Sequence, residues 1–224
     1  MHIKGAIFDM DGTLLDSLTF WEAYWKRVGE VYMSDPAFRP RTDIDKSVRT
    51  MILTDAMTLF YNNYDMPCTI EEFIAFAGRE IERFYRECAK PKDGAFELLE
   101  HLRSDGVKLC LASASEMQHI RIALAASGLD KYFDLVLSCD DIKAGKDRPD
   151  IYLLAMRELG LGISDICVFE DSFVAMETSK RIGFHTVGVY DKNNYNQERL
   201  RAASDIYIGE GESLKSLINA VNPQ

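Results

Sequence analysis

The 224-residue chain has no Cys-x-x-Cys pair, no run of basic residues and no apolar stretch long enough to span a bilayer. Its 5 cysteines, Cys68, Cys88, Cys110, Cys139 and Cys167, are odd in number and scattered, which speaks against a disulfide framework. Cys110 and Cys167 sit inside apolar runs and read as small buried hydrophobes. No apolar segment of signal-peptide length opens the chain, so a reducing cytoplasm is the expected location. Internal repeats and low-complexity segments are absent. Net charge is −10, with Asp+Glu 36 against Lys+Arg 26. Such a field repels nucleic acid and anionic membranes, so neither is an expected partner; a monomer is the simplest expectation. An anionic substrate would then have to be held by local cations. Hydrophobic residues make up 47% of the chain, ample for a core.

From about residue 93 onward, short apolar runs alternate with helical patterns. Val107–Ala112, Leu135–Leu137, Ile166–Phe169 and His185–Val189 read as strands, separated by amphipathic stretches near 94–104, 117–126, 150–159 and 173–182. This alternation predicts βαβ units and a Rossmann-like parallel sheet with helices on both faces, an α/β fold. Ile3–Phe8 supplies one more strand. Residues 17 to about 90 break the rhythm. Ser17 is placed to cap a helix through Trp21, Tyr24, Trp25 and Val28. A second helix follows Asp43 through Ile44, Val48, Met51, Ile52 and Met57. A third begins at Thr69, where Glu72 completes a capping box, and buries Phe73, Phe76, Ile81 and Phe84. The expected organisation is a core of residues 1–16 and 91–224 with a small all-helical insert, 17–90, after the first strand.

The chemistry gathers at strand ends. Asp9 and Asp11, two apart on an extended chain, face one small volume, and Gly12 lets the backbone turn beyond them. Two carboxylates there require a cation or a shared proton. A calcium loop is excluded, because its sixth and twelfth positions counted from Asp9 hold Leu14 and Phe20. Ser113-Ala114-Ser115 leads from a strand into a helix, an anion-binding arrangement. Lys146 precedes a helix start at Pro149-Asp150 and is the cation best placed to reach a phosphate. Glu170-Asp171-Ser172 again follows a strand, and adjacent acids there are costly without a cation. Acids for a magnesium ion, a hydroxyl and helix N-terminus for an anion, and a lysine for charge together suit phosphoryl transfer.

These residues, in this order and over essentially the whole chain, resemble the haloacid dehalogenase superfamily: Asp9-x-Asp11-Gly-Thr13, the serine Ser113, Lys146-x-x-Pro-Asp-x-Tyr152 and Glu170-Asp171-Ser172 correspond to its four motifs. The helical insert is similar to the family's α-helical cap domain. The resemblance implies that Asp9 attacks phosphorus to form an aspartyl-phosphate and that Asp11 protonates the leaving oxygen, then activates water. It implies that Thr13, Ser113, Ala114 and Lys146 hold the phosphoryl group. Mg2+ would sit on the Asp9 carboxylate, the Asp11 carbonyl and Asp171, with Glu170 a ligand or a partner of one.

Asp11 argues against dehalogenation, and the amine nucleophile of the phosphonate-cleaving branch finds no match. The nearest branch holds β-phosphoglucomutase and the sugar-phosphate phosphatases. Ser113-Ala114-Ser115 looks mutase-like, whereas the histidine the mutases carry in the first cap helix is Trp21 here. The expected activity is therefore a phosphatase acting on a small, sugar-like phosphomonoester, the alternatives being a hexose-phosphate mutase or an idle ligand-binding member. Asp147, Ala175 and Thr178 depart from the pattern at positions concerned with packing and loop shape. Trp21, Arg41 and Arg49 are candidates for specificity, against the simpler reading of cap core and solvated charge.

Overall fold

The computed structural model describes residues 1–49 and 51–223. In chain order the elements are β1 (Gly5–Phe8), β2 (Leu15–Asp16), α1 (Phe20–Val28), α2 (Thr42–Val48), α3 (Leu53–Tyr61), α4 (Ile70–Glu87), β3 (Lys90–Pro91), α5 (Ala95–Ser104), β4 (Lys108–Ser113), α6 (Met117–Ser127), β5 (Leu135–Ser138), α7 (Cys139–Ile142), α8 (Asp150–Leu159), β6 (Ile166–Glu170), α9 (Phe173–Ile182), β7 (His185–Val189), α10 (Gln197–Ala203) and β8 (Ile206–Ile208). Six strands form one parallel sheet in the order β5-β4-β1-β6-β7-β8. The α/β class expected from the alternation is the observed one.

Each central strand is apolar at successive positions because both faces of a parallel sheet are covered. Ala6, Phe8, Leu109, Leu111, Cys167 and Phe169 point to one side, under α5 and α6. Ile7, Cys110, Ala112, Ile166 and Val168 point to the other, under α8 and α9. Phe8 stacks on Phe169 with ring centroids 4.2 Å apart, tying β1 to β6 just below the sheet's carboxyl edge.

Helices α1–α4 enclose an apolar cluster of their own, built on Tyr24, Trp25, Phe60, Phe73 and Phe76. The capping box at the start of α4 forms as the sequence predicts, with the Glu72 amide donating to Thr69 Oγ1 at 3.3 Å and the Thr69 amide to Glu72 at 2.9 Å. Two local expectations fail. Ser17 does not cap α1; Thr19 holds that position, and the Ser17 hydroxyl is turned elsewhere. The predicted second helix is two, α2 and α3, with Met51 exposed between them. The two chain passages joining this helical unit to the sheet, β2 and β3, pair antiparallel. No helix among the described residues is long and apolar enough to cross a membrane.

His119 on α6 is buried against α4, where it faces Glu116, Glu82 and the Gly78 backbone. Burial, opposed by those acids, lowers its pKa from 6.5. Between the folded and unfolded values the unfolded chain binds more protons, so stability rises with pH and is fully present only above about 6.5. Wild-type protein should thus lose more thermal stability between pH 7.5 and pH 5 than His119→Gln. Parallel melting curves for the two proteins would contradict this.

Candidate active site

The Asp9 amide donates to the Phe169 carbonyl at 3.0 Å, which holds Asp9 against the end of β6. Phe8 is in register with Leu111 and Phe169, so Asp9, Ser113 and the Glu170-Asp171 pair emerge at one edge of the sheet. From β1 the strand order runs outward in both directions, which opens a crevice at that edge. Gly12 turns the chain there with φ +86°, and a Cβ at this position would meet Asp171 Oδ2 at 2.3 Å. Glycine is required both for the turn and for this close approach.

Asp9, Glu170 and Asp171 are all buried and bring one oxygen each within 4.8 Å of the others. Lys146, carried in by the loop between α7 and α8, donates to Asp9 Oδ1 and to Glu170 Oε1, the latter at 2.6 Å. The Tyr152 hydroxyl donates to the same Glu170 oxygen at 3.0 Å. Asp171 accepts from Thr13 Oγ1 at 3.1 Å on one oxygen and from Asn194 Nδ2 at 2.6 Å on the other. Burial works against the Lys146 ammonium, but Asp9 and Glu170 more than offset it and raise its pKa well above the ordinary value. Burial pushes Glu170 up to about 7, with Lys146 opposing and Asp9 reinforcing the rise. Asp171 is raised well above the usual carboxylate range by burial, then by Asp9 and Glu170.

Asp11 has a different environment. Its Oδ1 accepts from the Ser17 hydroxyl at 2.6 Å, its Oδ2 from Ser115 Oγ at 3.1 Å, and both from the Tyr85 phenol at 2.8 and 2.9 Å. Burial and the nearby Asp9 raise its pKa, against the pull of these hydroxyls. Two neighbouring carboxyls with such unequal surroundings are able to take different chemical roles.

The remaining expected residues fall as follows. Ser113 is buried at the end of β4, and its oxygen accepts from the Ser115 amide at 3.1 Å, shaping the turn in which Ala114 is exposed. Ser172 begins α9 without a side-chain capping bond. Two departures from the family pattern meet each other: Thr178 Oγ1 donates to the Asp147 carbonyl at 3.2 Å, pinning the loop beside Lys146. Trp21 packs on Phe20, Tyr24 and Trp25 in the helical unit. Arg49 pairs with Asp45 at 3.0 Å and lies 5.9 Å over the Trp21 ring, while Arg41 is exposed and pairs with Asp43. Tyr85, Ser17 and Asn194 were not expected at the site. Ser17 and Asn194 carry no pattern that marks them, and Tyr85 reads only as one more aromatic on α4.

Three buried carboxyl groups face one ammonium, so they do not all ionise at ordinary cost without a further cation. Glu170 Oε2 is buried with no hydrogen-bond partner among the described residues. An all-oxygen donor set with this charge fits a hard divalent cation. Asp9, Glu170 and Asp171 are the side chains that could hold one.

A Rossmann-like sheet with a buried carboxylate cluster at its crevice is a fold with a candidate metal site where ligands bind in open α/β sheets. The chain belongs to the haloacid dehalogenase-like hydrolases, whose family profile matches residues 3–183. It is 29% identical over 217 residues to the phosphorylated carbohydrates phosphatase of Thermotoga maritima, covering 96% of this chain and 98% of that protein. It is 26% identical over 189 residues to hexitol phosphatase A of Escherichia coli, covering 84% of each. Among solved structures it resembles a candidate β-phosphoglucomutase from Thermotoga maritima, with TM-score 0.78, 26% identity and coverage of 97% and 98%.

Proposed function

We propose that this protein is a phosphomonoester hydrolase, dependent on Mg2+, that acts on a small phosphorylated sugar or polyol. The observation that carries the reading is the pairing of Asp9, bound to Lys146 inside a carboxylate cluster, with the hydroxyl-held Asp11 beside it. The sugar-phosphate and hexitol-phosphate names of its relatives support the substrate class. Residues 17–90 act in this scheme as the cap over a core of 1–16 and 91–224, and the protein works as a cytoplasmic monomer.

An Asp9 oxygen attacks phosphorus, forming the Asp9 O–P bond while the P–O bond to the sugar breaks. Asp11, in its protonated form, gives its proton to the departing oxygen. Asp11 then takes a proton from water, whose oxygen attacks the aspartyl-phosphate, releasing phosphate and restoring Asp9. Thr13, Ser113, the Ala114 amide and Lys146 hold the phosphoryl oxygens. Asp9, Asp171, the Asp11 carbonyl and, directly or indirectly, Glu170 would hold a magnesium ion, which when bound would supply charge neutralisation for the transferring group.

The mutase reading keeps the support of Ser113-Ala114-Ser115 and of the structural relative, but Trp21 offers no imidazole for proton transfer. A phosphate-release screen with Mg2+ over phosphate esters decides. Release from a sugar or polyol phosphate is expected. Isomerisation of β-glucose 1-phosphate without release would replace the hydrolase by a mutase, and ligand binding with neither activity would make the protein an idle member.

A further inference from the structure

The five-turn helix α4 belongs to two apolar clusters at once. Phe73, Phe76 and Ala77 lie in the cap cluster, whereas Phe84 and Tyr85, near its other end, lie in the cluster under the sheet. At 18 residues it is about 27 Å long and runs unbroken from one cluster to the other. Tyr85 is 7% exposed, and a tyrosine buried to that extent usually finds an acceptor for its hydroxyl. It takes both oxygens of the Asp11 carboxylate, at 2.8 and 2.9 Å, from 74 residues away in the chain. Tyr85 is the cap-helix side chain that meets the acid–base group, while Ser17 and Ser115 approach from the hinge passage and the β4–α6 turn.

We propose that Tyr85 is a positioning residue for Asp11, fixing the carboxyl where it can reach the leaving oxygen and coupling that placement to the seating of the cap. The inference rests on the hydrolase reading and adds to it a residue outside the four motifs. A phenol that only filled space could be replaced by phenylalanine with little effect. A phenol that aims Asp11 matters most where the leaving oxygen needs a proton. An alkoxide from a sugar or polyol needs one; p-nitrophenolate leaves without it.

Tyr85→Phe tests this through kcat/KM, which reports the step that breaks the ester bond. On the best sugar or polyol phosphate the variant should lose about 30-fold, less than the roughly 10²–10⁴-fold of general acid catalysis because Asp11 itself remains, with most of the loss in kcat rather than KM. On p-nitrophenyl phosphate kcat/KM should fall less than threefold, because that step does not depend on Asp11's proton. The ratio between the two esters is independent of how much of the preparation is folded. If the phenylalanine variant is unstable, Tyr85→His, which keeps a ring nitrogen donor, should show the same ester dependence with a smaller loss. Equal losses on both esters, no loss on either, or a change confined to KM would overturn the positioning role. Wild-type protein that hydrolyses no ester would remove the hydrolase reading and this inference together, whereas an active wild type with an unaffected variant would remove only the inference.

Discussion

Asp9→Asn should lose about 10⁴-fold or more of turnover and still melt no lower than the parent protein in EDTA. In the proposed mechanism the loss follows from replacing the carboxylate that bonds to phosphorus while the site keeps its shape. The retained stability follows from the local electrostatics. Asp9 raises the pKa values of Glu170 and Asp171, so neutralising it relieves a like-charge cluster. Asparagine also keeps an oxygen that can accept from Lys146, which leaves the ammonium paired with both that oxygen and Glu170. Turnover on the best ester from the screen and a melting curve in EDTA check the two halves. Activity within tenfold of the parent would refute the nucleophile assignment, and a lower melting temperature would refute the electrostatic account.

Lys146→Met should cut kcat by roughly 10²–10³-fold, the scale seen when a fixed group that stabilises transition-state charge is removed. It should also destabilise the metal-free protein. The Lys146 side chain is 10% exposed and its ammonium bridges Asp9 and Glu170. Removing one partner from a buried ion pair costs about 3–5 kcal/mol, because the remaining charges are left without compensation. In a chain of 224 residues that corresponds to a fall of about 10 °C in Tm. Mg2+ should restore more of this loss than it adds to the wild type, because a dication takes over part of the neutralisation. Melting in EDTA and in Mg2+ provides the comparison. A variant that melts with the wild type in EDTA would show that Lys146 is not compensating these carboxylates.

The helices expected at 150–159 and 173–182 are observed at those residues, and His185–Val189 is the strand predicted. Those segments are legible because a buried strand or a helix packed on a sheet must carry its apolar period in its own sequence. The split between α2 and α3 was not, since the apolar spacing continues through Met51 although that side chain points to solvent. The second strand pair, β2 with β3, is two residues long on each side and leaves no period to read. Thr69 and Glu72 sit three residues apart and satisfy each other locally, so their cap could be read directly. Ser17 looked like a cap by the same local rule, but a stronger acceptor, the Asp11 carboxylate, stood 2.6 Å away.

The site divides along the same line. Asp9, Asp11, Glu170 and Asp171 could be picked out from the sequence because strand ends place them, and Lys146 because it precedes a helix start as a cation able to reach a phosphate. Their grouping was implied once the strands were assigned to one parallel sheet, whose carboxyl edge collects whatever follows each strand. The unequal surroundings of the two aspartates could not be read that way. Asp9 meets an ammonium and two carboxylates, while Asp11 meets three hydroxyls. Asn194 on Asp171 and Tyr85 on Asp11 are contacts across 23 and 74 residues. The sequence by itself determined which reactive groups this protein has and that one sheet edge would gather them, because local periodicity and chain direction suffice for that. Only the tertiary structure decided which oxygen each group faces, because partners that far apart in the chain are chosen by packing, and packing leaves no local pattern.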